Sequence, residues 1–343
     1  MFCANVEKGK TLKLAGRLLP RVPNTRSTHN QPMSSNEAPE LSIVIINYNG
    51  GPRMLACLES LYACPSRRSF EIIVYDNASG DDSANLIAAR FPNVTLIRGN
   101  ENVGYCRAFN AAVRNCARAP LLLALDNDTR MLEGALDKML DFLAERADVG
   151  AAGSNLYNPD GSLQYAVRRF PRALSGVFSR RGILTHLFPN NPIARRDLMN
   201  DRRDMEQPFE IDWHSAASFM MRRAVYDQIG GFDETFFVYW ADADLCARIH
   251  ACGYKVYNVP AAKVIHDESL AGRKGRLNAR MVIDFHRGAY LFYRKHRLHG
   301  RATPLAPLVW LCLAARTMLV IGIDRLRWKW RQFRFEKAEP GRP

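Results

Sequence analysis

The chain has 343 residues, 47% of them hydrophobic and 24% charged, with a formal net charge of +14. That is enough apolar material for one large domain with appendages or for two domains, and it excludes a disordered polyelectrolyte. The positive charge sits at the ends: residues 273–343 hold 17 basic and four acidic side chains, residues 1–40 hold six and three, and the stretch between nets −2. A basic tail can face nucleic acid or an anionic membrane surface, whereas the slightly acidic body argues against a nucleic-acid-binding domain.

Residues 1–40 are polar, with basic side chains spread through them and no apolar stretch long enough for a secretory signal, so a disordered leader is expected. Met33, just ahead of the first strand, is a candidate translation start. The eight cysteines include no Cys-x-x-Cys pair and read as scattered reduced thiols of a cytosolic protein.

Residues 41–46 form a near-continuous apolar run, as expected of a buried parallel strand, and Asn47-Tyr48-Asn49-Gly50-Gly51-Pro52 breaks it. Helical spacing follows over 54–62, then a strand over 70–75 that ends at Asp76-Asn77-Ala78-Ser79. A helix over 83–91, a strand over 94–97, a helix over 105–117 and a strand over 121–126 continue the alternation. Strands alternating with helices imply right-handed crossovers and a parallel sheet. Ligands bind such sheets beyond the carboxyl ends of the strands, where Asn47, Asp76 and Asp126 all fall. Further on, residues 158–161 carry a hairpin signal, 172–209 read as a long loop near the active face, and 211–221 as a strand. A helix over 242–252 and two short strands over 255–259 and 263–266 complete the body.

The most informative stretch is Leu121-Leu122-Leu123-Ala124-Leu125-Asp126-Asn127-Asp128. A buried strand delivers two carboxylates one residue apart, and such a pair suits a hard divalent cation that also holds phosphate oxygens. An Asx-rich turn is the alternative. Neither a Gly-x-Gly-x-x-Gly after the first strand nor a Gly-x-x-x-x-Gly-Lys-Ser/Thr occurs, so a bound nucleotide would rely on acids and metal rather than a glycine cradle.

Taken together, Asn47-Tyr48-Asn49, Asp76-Asn77-Ala78-Ser79, Asn102-Val103-Gly104, Asp126-Asn127-Asp128, Gly230-Gly231-Phe232-Asp233, Asp242-Ala243-Asp244-Leu245 and His266 resemble, in order, the motifs of family 2 glycosyltransferases. The likeness is to the rhamnosyltransferase-like and galactofuranosyltransferase-like branch and spans residues 41–270. The resemblance implies an α/β fold of the GT-A type with a mostly parallel central sheet, a dTDP- or UDP-sugar donor, Mg²⁺ or Mn²⁺, and inversion at the anomeric carbon. It further implies that Asp76 accepts a hydrogen bond from the donor's pyrimidine, with Asn47 beside it in the nucleotide-sugar site. Arg107 resembles a nucleotide-contacting arginine, a surface ion pair being its alternative. Asp126 and Asp128 resemble the metal site, Asp126 lying nearer the ribose, and His266 completes the metal shell. Asp242 matches the general base, with helix-end stabilisation as a competing role, and Asp244 reads as structural. Two positions depart from the pattern: Ala241 replaces the usual Glu, and Ala216-Ala217 the usual Gly-Ala. Both bear on the acceptor side of the site.

The tail, residues 271–343, reads as a basic helical extension. Helical spacing runs over 276–296, and residues 308–323 then form an apolar run whose one charge is Arg316. Sixteen helical residues reach only about 24 Å, short of the ~30 Å hydrocarbon core. The expectation is therefore an interfacial helix on an anionic surface, flanked by Trp310, Trp328 and Trp330 and by Arg325, Arg327, Lys329 and Arg331. The sequence thus predicts a cytoplasmic enzyme, peripheral on the inner face of the membrane, that moves a sugar, plausibly L-rhamnose, to a glycan or lipid-linked acceptor in cell-surface polysaccharide synthesis. The alternatives are a nucleotidyltransferase, a basic nucleic-acid-binding protein and a catalytically inactive relative.

Overall fold

A computed structural model describes residues 38–338, apart from 65, 172–191, 203, 268–276 and 299, and two short segments at 13–14 and 17–18. The expected leader, much of the expected 172–209 loop and the start of the tail lie outside the described residues.

The first half alternates as its hydrophobic pattern requires: β1 Leu41–Asn47, α1 Gly51–Ala63, β2 Phe70–Asp76, α2 Ser83–Arg90, β3 Thr95–Arg98, α3 Tyr105–Cys116 and β4 Leu121–Asp126. There follow β5 Thr129–Met131, α4 Ala135–Glu145, β6 Val149–Tyr157, β7 Val167–Arg168, α5 Pro192–Asp197, β8 Phe209–Ile211, β9 Trp213–His214, β10 Ser218–Arg222, α6 Arg223–Gln228, α7 Ala241–Ala251 and β11 Lys255–His266. Helices α8 Ala279–His296 and α9 Ala306–Ala338 end the chain.

Nine of these strands form one sheet in the order β8-β11-β6-β10-β4-β1-β2-β3, with β5 pairing β11 off this path. Strands β4, β1, β2 and β3 are parallel neighbours, and β11 is parallel to β6. Strand β10 runs antiparallel between β4 and β6, and β8 and β5 run antiparallel to β11, so three reversed strands join six that share one direction. Alternation along β1 splits the core into two layers: Ile43 and Ile45 face α1, α2 and α4, while Val44 faces α3, α6 and α7.

Three expectations change. The expected strand over 211–221 is three pieces, β8, β9 and β10, because Trp213–His214 leaves the main sheet to pair with β7. The two short strands expected at 255–259 and 263–266 are one, β11, with a register shift between Val259 and Lys263. That shift lets one strand pair β8 with its first half and β5 with its last residues. The tail helix is far longer than its apolar run: α9 has 33 residues, about 50 Å of helix. The stretch Thr303–Trp330, whose most apolar window of 18 residues has mean hydropathy 1.9 and is not buried, is long and apolar enough to cross a membrane by length and composition. Helix α8 is no free appendage, since its Phe292 is in the second core layer and Gly288 lies against Tyr239 and Trp240.

Candidate active site

Asn47 and Asp76 are adjacent in register at the ends of β1 and β2, and both are buried. The amide of Asn47 donates to Asp76 Oδ1 at 2.8 Å and to Ser83 Oγ at 2.8 Å. Ser79 closes the turn by donating its hydroxyl to Asp76 Oδ1 at 2.6 Å and its backbone N–H to Oδ2 at 3.1 Å. Asp76 is therefore an Asx-type turn residue, and its Oδ2 keeps a second lone pair for another donor. The turn carries local strain, with non-glycine residues Asn49 and Ala78 at φ of 53° and 59°.

Asp126, Asp128 and His266 meet, each offering a ligand atom within 4.8 Å of the others. Asp126 ends β4, and the turn into β5 brings Asp128 onto the same edge. Pairing of β5 with the end of β11 sets His266 opposite Thr129. The backbone N–H of Asp267 donates to Asp128 O at 2.9 Å, closing the corner. His266 Nε2 stands 3.3 Å from Asp128 Oδ1 and 3.8 Å from Asp126 Oδ2.

Gln164 settles which imidazole nitrogen does what. Its amide donates to the His266 carbonyl at 2.8 Å, and its Oε1 lies 2.9 Å from Nδ1, so Nδ1–H donates to that oxygen. Nε2 is then the nitrogen that faces the two carboxylates: protonated it pairs with them, and deprotonated it joins them as a third ligand for a cation. Two carboxylate oxygens and one imidazole nitrogen fit Mn²⁺ or Mg²⁺. Arg53, in the first turn of α1, reaches Asp128 Oδ2 at 3.5 Å.

Asp242 occupies the first turn of α7, and its Oδ1 accepts from the Ala243 backbone N–H at 2.9 Å. Burial raises its pKa to about 6, against the pull of the Ala243 and Ala216 backbone groups and Arg168. The residue before the helix, Trp240, has φ of 71°. Its ring stacks among Trp213, Phe285 and Phe292, and this packing holds the strained backbone that presents Asp242. Asp244, two residues on, is fully buried and bridges Arg248 of α7 to Lys295 and His296 of α8 at 2.7–2.8 Å. It is an anchor between helices.

Arg107 does not join the metal corner. It is exposed, pairs with Glu234 at 3.7 Å, and lines a cleft of about 580 Å³ with Asn102, Asp233, Phe237 and Arg287. Three residues escaped the sequence reading. Gln164 and Arg53 touch the metal corner from segments without a motif. Tyr105 has a buried hydroxyl without a hydrogen-bond partner. Burial, then the charge of Asp126 and, less strongly, that of Asp242 push its pKa well up.

The sheet, with a metal-fitting Asp-x-Asp and a histidine at its strand ends, matches glycosyltransferases of the GT-A fold. The chain belongs to glycosyl transferase family 2, whose model matches residues 42–230. It is 27% identical over 291 residues to an N-acetylglucosaminyl-diphospho-decaprenol L-rhamnosyltransferase of Mycobacterium tuberculosis, covering 82% of this chain and 92% of that protein. It is 28% identical over 249 residues to the O-antigen biosynthesis protein RfbC of Myxococcus xanthus, covering 68% of this chain and 18% of that one. Among solved structures, the mannosyltransferase PcManGT of Pyrobaculum calidifontis, in complex with GDP-Man and Mn²⁺, superposes with a TM-score of 0.54 at 19% identity. That match covers 90% of this chain and 78% of the other. GalNAc-T7 with UDP, GalNAc and Mn²⁺ gives the same TM-score at 15% identity, covering 84% and 58%.

Proposed function

We propose that this glycosyltransferase is metal-dependent and inverting, and that it moves L-rhamnose from dTDP-rhamnose to a lipid-diphosphate-linked or glycan acceptor in cell-surface polysaccharide assembly. The observation that carries the reading is the Asp126–Asp128–His266 cluster at the strand ends of a family 2 fold. The transferred sugar and the acceptor class rest on the mycobacterial relative's name, and the dTDP carrier on the motif resemblance alone.

In this reading Asp126, Asp128 and His266 Nε2 would hold a divalent cation, which when bound neutralises charge on the departing nucleoside diphosphate. Asp76 Oδ2 accepts from the pyrimidine, and Asn47 keeps that carboxylate in place. Asp242 takes the proton of the acceptor hydroxyl as its oxygen bonds to the anomeric carbon and the sugar–phosphate bond breaks on the opposite face. A carboxylate whose pKa is about 6 remains ionised at neutral pH and is more basic than an ordinary aspartate. Arg107 serves the nucleotide only if Glu234 releases it.

Thermal shift with dTDP-, UDP- and GDP-sugars, with and without Mn²⁺, tests this on wild type and Asp128→Ala. Stabilisation by a dTDP-sugar that needs both Mn²⁺ and Asp128 is expected. Stabilisation only by a UDP- or GDP-sugar would overturn the donor, and no response to any nucleotide would overturn the transferase mechanism.

We propose further that α9 lies on an anionic membrane surface rather than across it. Its exposed Leu308, Leu311, Met318, Leu319, Leu326 and Trp330 share one side of the helix, while Trp310 is exposed on the other. Arg316 turns away from the first side toward α8, where its charge acts on His286. Basic residues Arg325, Arg327 and Lys329 follow, suited to anionic headgroups. Alkaline carbonate should release the protein from membranes, and retention in the pellet would favour a spanning helix.

A further inference from the structure

We infer that Arg53 is a diphosphate-binding residue, held in reserve on Asp128 until a metal enters. The inference rests on the transferase reading above.

The argument begins with how Asp128 divides its two oxygens. Oδ1 faces His266 and the metal corner at 3.3 Å, while Oδ2 faces the Arg53 guanidinium at 3.5 Å. The contact to Arg53 is long and partly open to solvent, so the pair is a weak one. Arg53 also stands in the first turn of α1, whose N-cap Gly50 supplies no side-chain capping bond. The N–H groups at this helix end add positive potential on the same side.

Charge balance shows why a second cation is useful here. A divalent ion held by two carboxylates and a neutral imidazole presents no net charge, yet the leaving nucleoside diphosphate carries at least two negative charges. A guanidinium that moves from Asp128 to the phosphate oxygens supplies the missing positive charge in a planar, two-pronged form. Before metal binds, the same guanidinium offsets part of the carboxylate repulsion. Arg53 and the metal thus compete for Asp128 but act together on the diphosphate.

The two roles predict effects of opposite sign, which an ordinary structural arginine would not give. In the full-length protein without nucleotide, Mn²⁺ binding followed by electron paramagnetic resonance should be about two- to fivefold tighter in Arg53→Gln than in wild type. With Mn²⁺ saturating, calorimetry should show dTDP binding about tenfold weaker in Arg53→Gln, with Arg53→Lys in between. Thymidine monophosphate should change less. Unchanged or weaker Mn²⁺ binding in Arg53→Gln would overturn the competition, and unchanged dTDP binding would overturn the phosphate role. If wild type binds Mn²⁺ but neither dTDP nor UDP, the transferase reading falls with the phosphate role, while the Mn²⁺ comparison still decides the competition.

Discussion

The molecule contains two Asp-x-Asp sequences, and they end up doing opposite things. Asp126 and Asp128 leave a strand through a turn that curls both carboxylates onto one edge, beside His266. Asp242 and Asp244 enter a helix, where residues two apart point to different faces. Asp242 forms no ion pair among the described residues and has its pKa raised by burial to about 6, while Asp244 is sealed among Arg248, Lys295 and His296. The same residue pattern makes a shared site on a strand exit and two separate sites on a helix start. Secondary structure, not spacing, sets the chemistry.

The largest expected effect separates the members of the helical pair. Asp242→Asn should lower kcat/KM by about 10²–10⁴-fold while leaving Mn²⁺-dependent donor binding intact. In wild type the base must be ionised, so kcat/KM should fall tenfold per pH unit below about pH 6, and Asp242→Asn should lose that limb. A wild-type profile flat down to pH 5 would remove Asp242 from the role. On the strand side, Asp128→Ala should cost about 10³-fold in kcat/KM and abolish the Mn²⁺ response in donor binding as well. If donor binding by Asp128→Ala still responded to Mn²⁺, the metal corner would lie elsewhere.

Stability should divide the helical pair in the other direction. Burial works against the Asp244 charge, but His296, Arg248 and Lys295 overcome it and lower its pKa. Its contribution is complete above the unfolded pKa of about 4 and fades as pH falls through the lower folded value. Asp244→Ala should therefore cost about 3–5 kcal/mol at neutral pH, because it leaves the largely buried Arg248 without its carboxylate. Asp242 is the reverse case: its folded pKa is raised, so its charge is a cost above about pH 6 that disappears on protonation. Asp242→Asn should stabilise the fold by about 1–3 kcal/mol at pH 7.5. Urea denaturation of the two variants checks both signs, and equal destabilisation would erase the distinction.

Much of this was legible in the chain. Residues 41–126 announce their strands and helices because the three strands that end at the site are largely buried on both faces and each break is polar, so Asn47, Asp76 and Asp126 fall at strand ends in sequence and structure alike. His266 was legible through motif order, but its arrival at Asp128 depends on the β5–β11 pairing and on a register shift, which local patterning does not encode. The reversed strand β10 was hidden for a similar reason: Ser218–Arg222 is as apolar as a parallel strand, and direction leaves no mark on composition. The tail was read as basic and amphipathic, while its grip on the base loop rests on contacts to distant residues. Asp284 accepts from the Tyr239 backbone at 3.3 Å, and Gly288 leaves no room for a Cβ beside Trp240.

The smallest effect concerns a residue that no motif marks. Gln164 lies in the loop after β6 and holds His266 at two points, through the ring Nδ1 and the backbone carbonyl. Gln164→Leu keeps the bulk and removes both bonds, so Nε2 is no longer fixed as the lone-pair nitrogen and the ring can turn. Removing such a partner typically weakens metal binding by about 10–100-fold, and because Asp126 and Asp128 remain, the lower end is expected for Mn²⁺. Gln164→Glu restores an acceptor for Nδ1–H but cannot donate to the carbonyl, so it should recover part of the loss. Mn²⁺ titration of both variants distinguishes an orienting residue from a loop prop: a prop would leave affinity unchanged wherever the fold survives. On the proposed reading, a strand-exit pair of acids becomes a metal site through a neighbour that no acid pattern predicts, just as Asp244 in the helix-start pair becomes an anchor through Lys295 and His296 of α8.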